Sequence, residues 1–154
     1  MPTIRVLVAD DQPDITEVLQ YVIGIDPGLE CVGCLGRADE LGDAVRTLRP
    51  DVLVIDARMP GTDPLIAVRE LADEFPAIKC IFYTGYDDPG FIERMIDSGA
   101  WGFVSKSLGS DAVLRAIHSV AVGTPVFPKR RGRNTPPETT PATARPASSD
   151  TDGR

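Results

Sequence analysis

Histidine appears once in 154 residues, tryptophan once and cysteine three times. The lone histidine, His118, leaves nothing from which to build a histidine-rich metal centre. Its spacing in the last helical pattern makes it a partly exposed surface residue. The cysteines, Cys31, Cys34 and Cys80, are odd in number. The stretch "CVGC" has the spacing of a redox or zinc motif, but no second cysteine pair exists to complete a zinc site. The surrounding "LECVGCL" also reads as a strand, in which positions i and i+3 point to opposite faces. All three cysteines are therefore expected to be structural thiols. No run of about 18 apolar residues occurs, so no transmembrane helix is expected. The N-terminus "MPTIRVLV" enters a strand at once, without an apolar segment and small-residue cleavage site. A cytoplasmic protein is expected on that ground.

Positive charge is scarce where the apolar residues are. Residues 1–128 hold 10 Lys and Arg against 20 Asp and Glu, a balance unlike that of a nucleic-acid-binding domain. Residues 129–154 reverse the balance, with 6 basic and 3 acidic side chains, and have no aromatic or large aliphatic residue. Such a segment cannot bury enough apolar surface to offset its ordering entropy. The expected organisation is a folded domain over 1–128 and a disordered, Pro/Thr-rich basic tail over 129–154. Within the tail, "KRRGR" at 129–133 is expected to be a solvated linker.

What is present is an alternating pattern. Hydrophobic residues make up 42% and charged residues 25%, as in a globular domain. Five short apolar runs occur at 4–9, 29–35, 51–56, 78–84 and 101–105. Most are continuous, as strands buried on both faces are. Between them lie helical repeats, beginning with Ile15, Val18, Leu19, Val22 and Ile23. Asp63-Pro64 and Asp88-Pro89 place a capping acid before a first-turn proline, and Ser110 suits the start of the last helix. Five strands alternating with five helices predict a doubly wound α/β domain with a parallel sheet. Ligands of such sheets bind beyond the C-terminal ends of the strands.

The first strand ends there in two adjacent acids, Asp10 and Asp11. Like unit charges about 4 Å apart at an effective dielectric near 20 repel by roughly 4 kcal/mol. The third strand ends at Asp56 in "VIDARMPG", the fourth at Thr84 in "YTGY", and the fifth at Lys106 in "GFVSKS". Three carboxylates on one sheet edge call for a cation, and hard oxygen ligands suit Mg²⁺. An aspartate beside that ion can attack a phosphoryl group, with an ammonium and a hydroxyl stabilising the transferring oxygens.

These motifs, with intervals of 45 residues from Asp11 to Asp56, 28 to Thr84 and 22 to Lys106, resemble the receiver domain of two-component response regulators. The resemblance covers residues 3 to about 124. It implies a flavodoxin-like fold with strand order 2-1-3-4-5 and Asp56 as phosphoacceptor. It implies Mg²⁺ held by Asp10, Asp11, Asp56 and the backbone carbonyl of Arg58, with Thr84 and Lys106 on the phosphoryl group. Phe103 stands at the family's switch aromatic, three residues before the lysine. Arg58 and Tyr86, two residues after Asp56 and Thr84, occupy positions that tune water access. Implied partners are a sensor histidine kinase or phosphotransfer protein, which supplies the phosphodonor histidine, and a downstream protein on the helix 4–strand 5–helix 5 face. A phosphorylation-dependent homodimer is another route of output.

Finer details, Ser107 after the lysine and the exit "LRAIHSVAVGTPVFP", resemble the NarL/FixJ, or LuxR-type, subfamily, whose receivers usually precede a helix-turn-helix domain. The 26 residues after Pro128 are too few and too polar for such a domain, so a stand-alone receiver without direct DNA binding is expected. It would be a phosphoacceptor that assists its own phosphorylation and dephosphorylation, rather than an enzyme acting on other substrates. Two rivals stand beside this reading. A haloacid-dehalogenase-like phosphatase requires an acid two residues after its nucleophile, where Gln12 and Arg58 stand instead. A receiver-like module signalling without phosphorylation would not need the complete acidic set.

Overall fold

The structure, a computed structural model, describes residues 2–128. The proposed tail at 129–154, with its "KRRGR" run, lies outside the described residues. Strands β1 (Ile4–Ala9), β2 (Leu29–Leu35), β3 (Val52–Ile55), β4 (Lys79–Thr84) and β5 (Gly102–Ser105) form one parallel sheet in the order β2-β1-β3-β4-β5. Between them run α1 (Pro13–Ile25), α2 (Leu41–Leu48), α3 (Pro64–Glu74) and α4 (Pro89–Asp97), and α5 (Ser110–Ala121) closes the series. The doubly wound architecture expected from the alternation is observed, and the strand order is the one the resemblance implied. No helix among the described residues is long and apolar enough to cross a membrane.

Strand alternation divides the core between the two faces of the sheet. Leu7, Leu53, Ile55, Phe82 and Phe103 face one way, toward α2, α3 and α4. Val6, Val8, Val54, Tyr83 and Val104 face the other, toward α1 and α5. Both faces are covered, so continuous apolar runs such as "VLVI" at 52–55 are fully buried.

Helix starts explain how the strand ends are held. Asp63 accepts a hydrogen bond from the N–H of Leu65 (2.9 Å) and Asp88 from that of Phe91 (3.1 Å), each before a first-turn proline, as expected. Ser110 does begin the last helix, but it does not cap it. It is the first residue of α5, and Gly109, at φ 81°, occupies the cap position with no side-chain bond. A glycine reaches that left-handed backbone without the steric cost a serine would meet.

Two features of the sheet were not anticipated. The first overturns the expected placement of the cysteines. Register between β1 and β2 shifts between Val6 and Leu7: Val6 pairs with Cys31, Leu7 with Gly33 and Val8 with Cys34. Val32 is the extra residue of a bulge. Cys31 and Cys34 therefore share one face, both packed on the α1/α5 side, while Val32 packs on the other. The second feature lies after α5. Val126 forms a parallel bridge to Gly102, its N–H donating to Trp101 O (2.9 Å) and its carbonyl accepting from Phe103 N–H (2.7 Å). This short segment covers the otherwise open edge of β5.

Candidate phosphoacceptor and metal site

Asp10 ends up beyond β1, held by the bond from its own N–H to Leu35 O (2.9 Å). Asp56 lies beyond β3, its N–H donating to Ala9 O (3.0 Å). The strand ends are thus tied side by side, and the two carboxylates converge, 5% and 7% exposed. Asp11 is exposed, yet one oxygen from each of Asp10, Asp11 and Asp56 lies within 4.8 Å of the others. This trio could hold a metal ion. Adjacent oxygen ligands of Mg²⁺ sit about 3.0 Å apart and opposite ones about 4.2 Å, so the three carboxylates would draw closer together to hold that ion.

Lys106 follows β5 directly and turns back over the acids. Its Nζ lies 2.9 Å from Asp10 Oδ2 and 2.9 Å from Asp56 Oδ2, and it donates to Gln12 Oε1 at 2.6 Å. The other Asp56 oxygen, Oδ1, accepts from the backbone N–H of Arg58 (3.3 Å). Burial raises the Asp10 carboxyl above its ordinary value. The bonds from Lys106 and the Gln12 N–H oppose the rise without cancelling it, and neighbouring Asp56 adds to it. Burial alone would lower the Lys106 ammonium, but Asp10 and Asp56 outweigh it and the net shift is upward. Lys106 is therefore a fixed positive charge, balancing part of the acidic cluster.

Thr84 is fully buried at the end of β4, and its Oγ1 accepts the N–H of Tyr86 (3.3 Å). Phe103 is buried on the neighbouring strand, in register with Phe82. Arg58 and Tyr86 meet above the site, the guanidinium 4.8 Å from the ring centroid. Tyr86 in turn packs on Phe91, with ring centroids 5.8 Å apart, and Arg94 lies over Phe91 at 5.2 Å. Stacked cations and rings of this kind stabilise one another by about 0.5–1 kcal/mol each at exposed positions.

Asp10, Asp11, Asp56, Arg58, Thr84, Tyr86 and Lys106 lie at or beside this end of the sheet, while Phe103 sits inside β5, two residues before its last residue. Sequence reasoning missed Gln12, which binds Lys106 through its side chain and Asp10 through its N–H (2.9 Å). Its place two residues after Asp10, at the N-cap of α1, was the available signal. His118 lies away from this site. It is bonded to Asp26 (2.9 Å) and joins α5 to the end of α1.

Comparison with known proteins agrees with this geometry. The response regulator receiver domain family matches residues 6–118. Response regulator GacA of Pseudomonas viridiflava is 36% identical over 78% of this chain and 56% of its own length. DNA-binding transcriptional activator DevR/DosR of Mycobacterium tuberculosis is 30% identical over 82% of this chain and 58% of its own length. The chain thus spans about half the length of the curated relatives it matches. A LuxR-family two-component response regulator from Aurantimonas sp. SI85-9A1 superposes with a TM-score of 0.76. That pair is 27% identical, covering 80% of this chain and 89% of the other. Strand order, acidic end and family match converge: the chain belongs to the response regulator receiver domain family of two-component signalling.

Proposed function

We propose that Asp56 accepts a phosphoryl group from the phosphohistidine of a sensor kinase or phosphotransfer protein. The observation that carries this is the pinning of its carboxylate. Lys106 holds one oxygen, the Arg58 N–H holds the other, and Asp10 and Asp11 stand within ligand distance. In the transfer, one Asp56 oxygen forms a bond to phosphorus while the donor's N–P bond breaks, its electron pair staying on the imidazole. Asp10, Asp11, Asp56 and the Arg58 carbonyl would hold Mg²⁺, which when bound neutralises charge on the transferring oxygens.

The chain's own residues do the rest. Lys106 leaves its bond to Asp56 Oδ2 for a phosphoryl oxygen at no cost in charge. Thr84 turns its hydroxyl from the Tyr86 N–H to donate to another phosphoryl oxygen. That small inward movement frees space beside Phe103, whose ring lines a groove of about 700 Å³ between α4, β5 and α5. The groove changes shape with phosphorylation, so a downstream protein or a second copy of the chain reads the population of the two states.

The test is treatment with acetyl phosphate and Mg²⁺, followed by peptide mapping. We expect one acid-stable, hydroxylamine-labile adduct on Asp56 and none in Asp56→Asn. Unchanged labelling of Asp56→Asn, or an adduct on serine or threonine, rejects the assignment.

A further inference from the structure

Given Asp56 as the phosphoacceptor, on which this step rests, we propose that Gln12 is a positioning residue for the phosphoryl transfer. It holds the Lys106 ammonium over the acids while the other two partners of that ammonium change. Its residue type does not suit its place in the helix. Gln12 is the N-cap of α1, where Ser, Thr, Asp or Asn would bond the first turn, and its side chain makes no cap bond. The amide reaches instead to the residue that follows β5, its Oε1 accepting from Lys106 Nζ at 2.6 Å. An ammonium offers donors only, so the oxygen of the amide is the atom that faces it.

Local structure fixes both ends of this bond. Gln12 precedes Pro13, which confines it to extended backbone, and it sits at φ −95° and ψ 111°. Its N–H donates to Asp10 Oδ1 (2.9 Å), so one residue touches Asp10 through its backbone and Lys106 through its side chain. At the other end, Lys106 opens a short 3₁₀ turn, Lys106–Leu108, whose cap is Ser105. The Ser105 Oγ accepts from the N–H of Ser107 (3.2 Å). Between these two anchors runs a flexible four-carbon stem, which only its charged end can hold in place.

The partners of that charged end define what Gln12 does. The ammonium has three N–H donors and three acceptors: Asp10 Oδ2 and Asp56 Oδ2, each at 2.9 Å, and Gln12 Oε1 at 2.6 Å. The first two belong to the acidic trio, and their bonds to Lys106 change when the site is used. Asp56 gives up Lys106 to a phosphoryl oxygen, and Asp10 turns charge toward a bound metal. Gln12 is neutral and outside the trio, so its bond persists through both changes. It keeps the ammonium one short swing from the incoming oxygen. Without it the cation must be gathered from many stem conformations during the reaction, and a preorganised donor becomes one that reorganises.

The full chain and its variants would be labelled with acetyl phosphate and Mg²⁺, the rate being read from the mass of the Asp56 peptide. Affinity for Mg²⁺ alone would be measured by titration calorimetry. Gln12→Met keeps the length of the side chain and the backbone N–H while removing the acceptor. We expect it to slow labelling about tenfold, as for loss of one hydrogen bond to a charged group, with Mg²⁺ affinity within about twofold of the wild type. Lys106→Met should slow labelling by itself. Adding Gln12→Met to it should slow labelling no further, because Gln12 acts only through the ammonium. An unchanged rate in Gln12→Met overturns the proposal. The same loss with and without Lys106 overturns it too, as does a matching loss of Mg²⁺ affinity. A wild type that takes no label at Asp56 overturns the phosphoacceptor assignment, and the role of Gln12 falls with it.

Discussion

Removing charge from Asp10 should make the metal-free protein more stable. Burial holds this carboxyl above its ordinary value, so the folded state binds its proton more tightly than the unfolded chain does. The sign follows: stability falls as pH rises from the unfolded value of about 3.9 through the folded one, and the penalty is complete at neutral pH. Asp10→Asn keeps an acceptor for the Gln12 N–H and for Lys106 while relieving the clash with Asp56. With Lys106 offsetting most of a repulsion of up to about 4 kcal/mol, a gain on the order of 1 kcal/mol is expected, a few degrees in Tm. Calorimetry in chelator should show that rise, and the same variant should lose most of the stabilisation that Mg²⁺ gives the wild type. A lower Tm in chelator would mean that the ion pair with Lys106 outweighs burial. The main site residues were legible because Asp10, Asp56, Thr84 and Lys106 each follow an apolar run, and parallel topology gathers strand ends. Gln12 was not, because its role depends on a side chain reaching back from 94 positions away.

Among elements, the strands and most helix starts were readable because their signals are local. An apolar run of four to seven residues and an Asp-Pro start need no knowledge of the rest of the chain. Pairing irregularities are different. The β2 bulge exists only relative to β1, so strand alternation read along "LECVGCL" put Cys34 on the wrong face. The bridge at Val126 is likewise a single residue long and carries no periodic signal. Its fit depends on Gly102, where a Cβ would come within 3.2 Å of the Val126 carbonyl oxygen. The bridge should contribute measurably to stability. Val126→Pro removes the donor to Trp101 O and leaves that carbonyl short of a partner, at a cost of about 1–3 kcal/mol. For a domain of this size the Tm should drop by roughly 4–15 °C, read by calorimetry. Hydrogen exchange should locate the loosening at β5 and spare β1 and β3. An unchanged Tm would show that the bridge adds nothing to the fold.

For the molecule as a whole, acid stability is set by carboxylates shifted in opposite directions. Asp10 is raised, so protonating it relieves the acidic end of the sheet as pH falls. Asp26 is lowered, first by its bond to His118 and then by the N–H of Gly28 (2.9 Å). It lies at the far end of α1 and ties that helix to α5, closing the helical layer on one side of the sheet. For a depressed carboxyl the unfolded chain binds the proton more tightly. The stability it contributes is therefore complete above about 3.9 and is lost as pH falls through the folded value. Asp26→Asn keeps the amide oxygen for Gly28 but removes the charge facing His118. Thermal melts from pH 7 down to pH 2.5 should show the variant less stable at neutral pH, its deficit narrowing as the wild type loses the Asp26 contribution. The two curves should converge at the acid end. A deficit that stays constant over the whole range would mean that the side chain acts through packing alone, with no part in the proton balance.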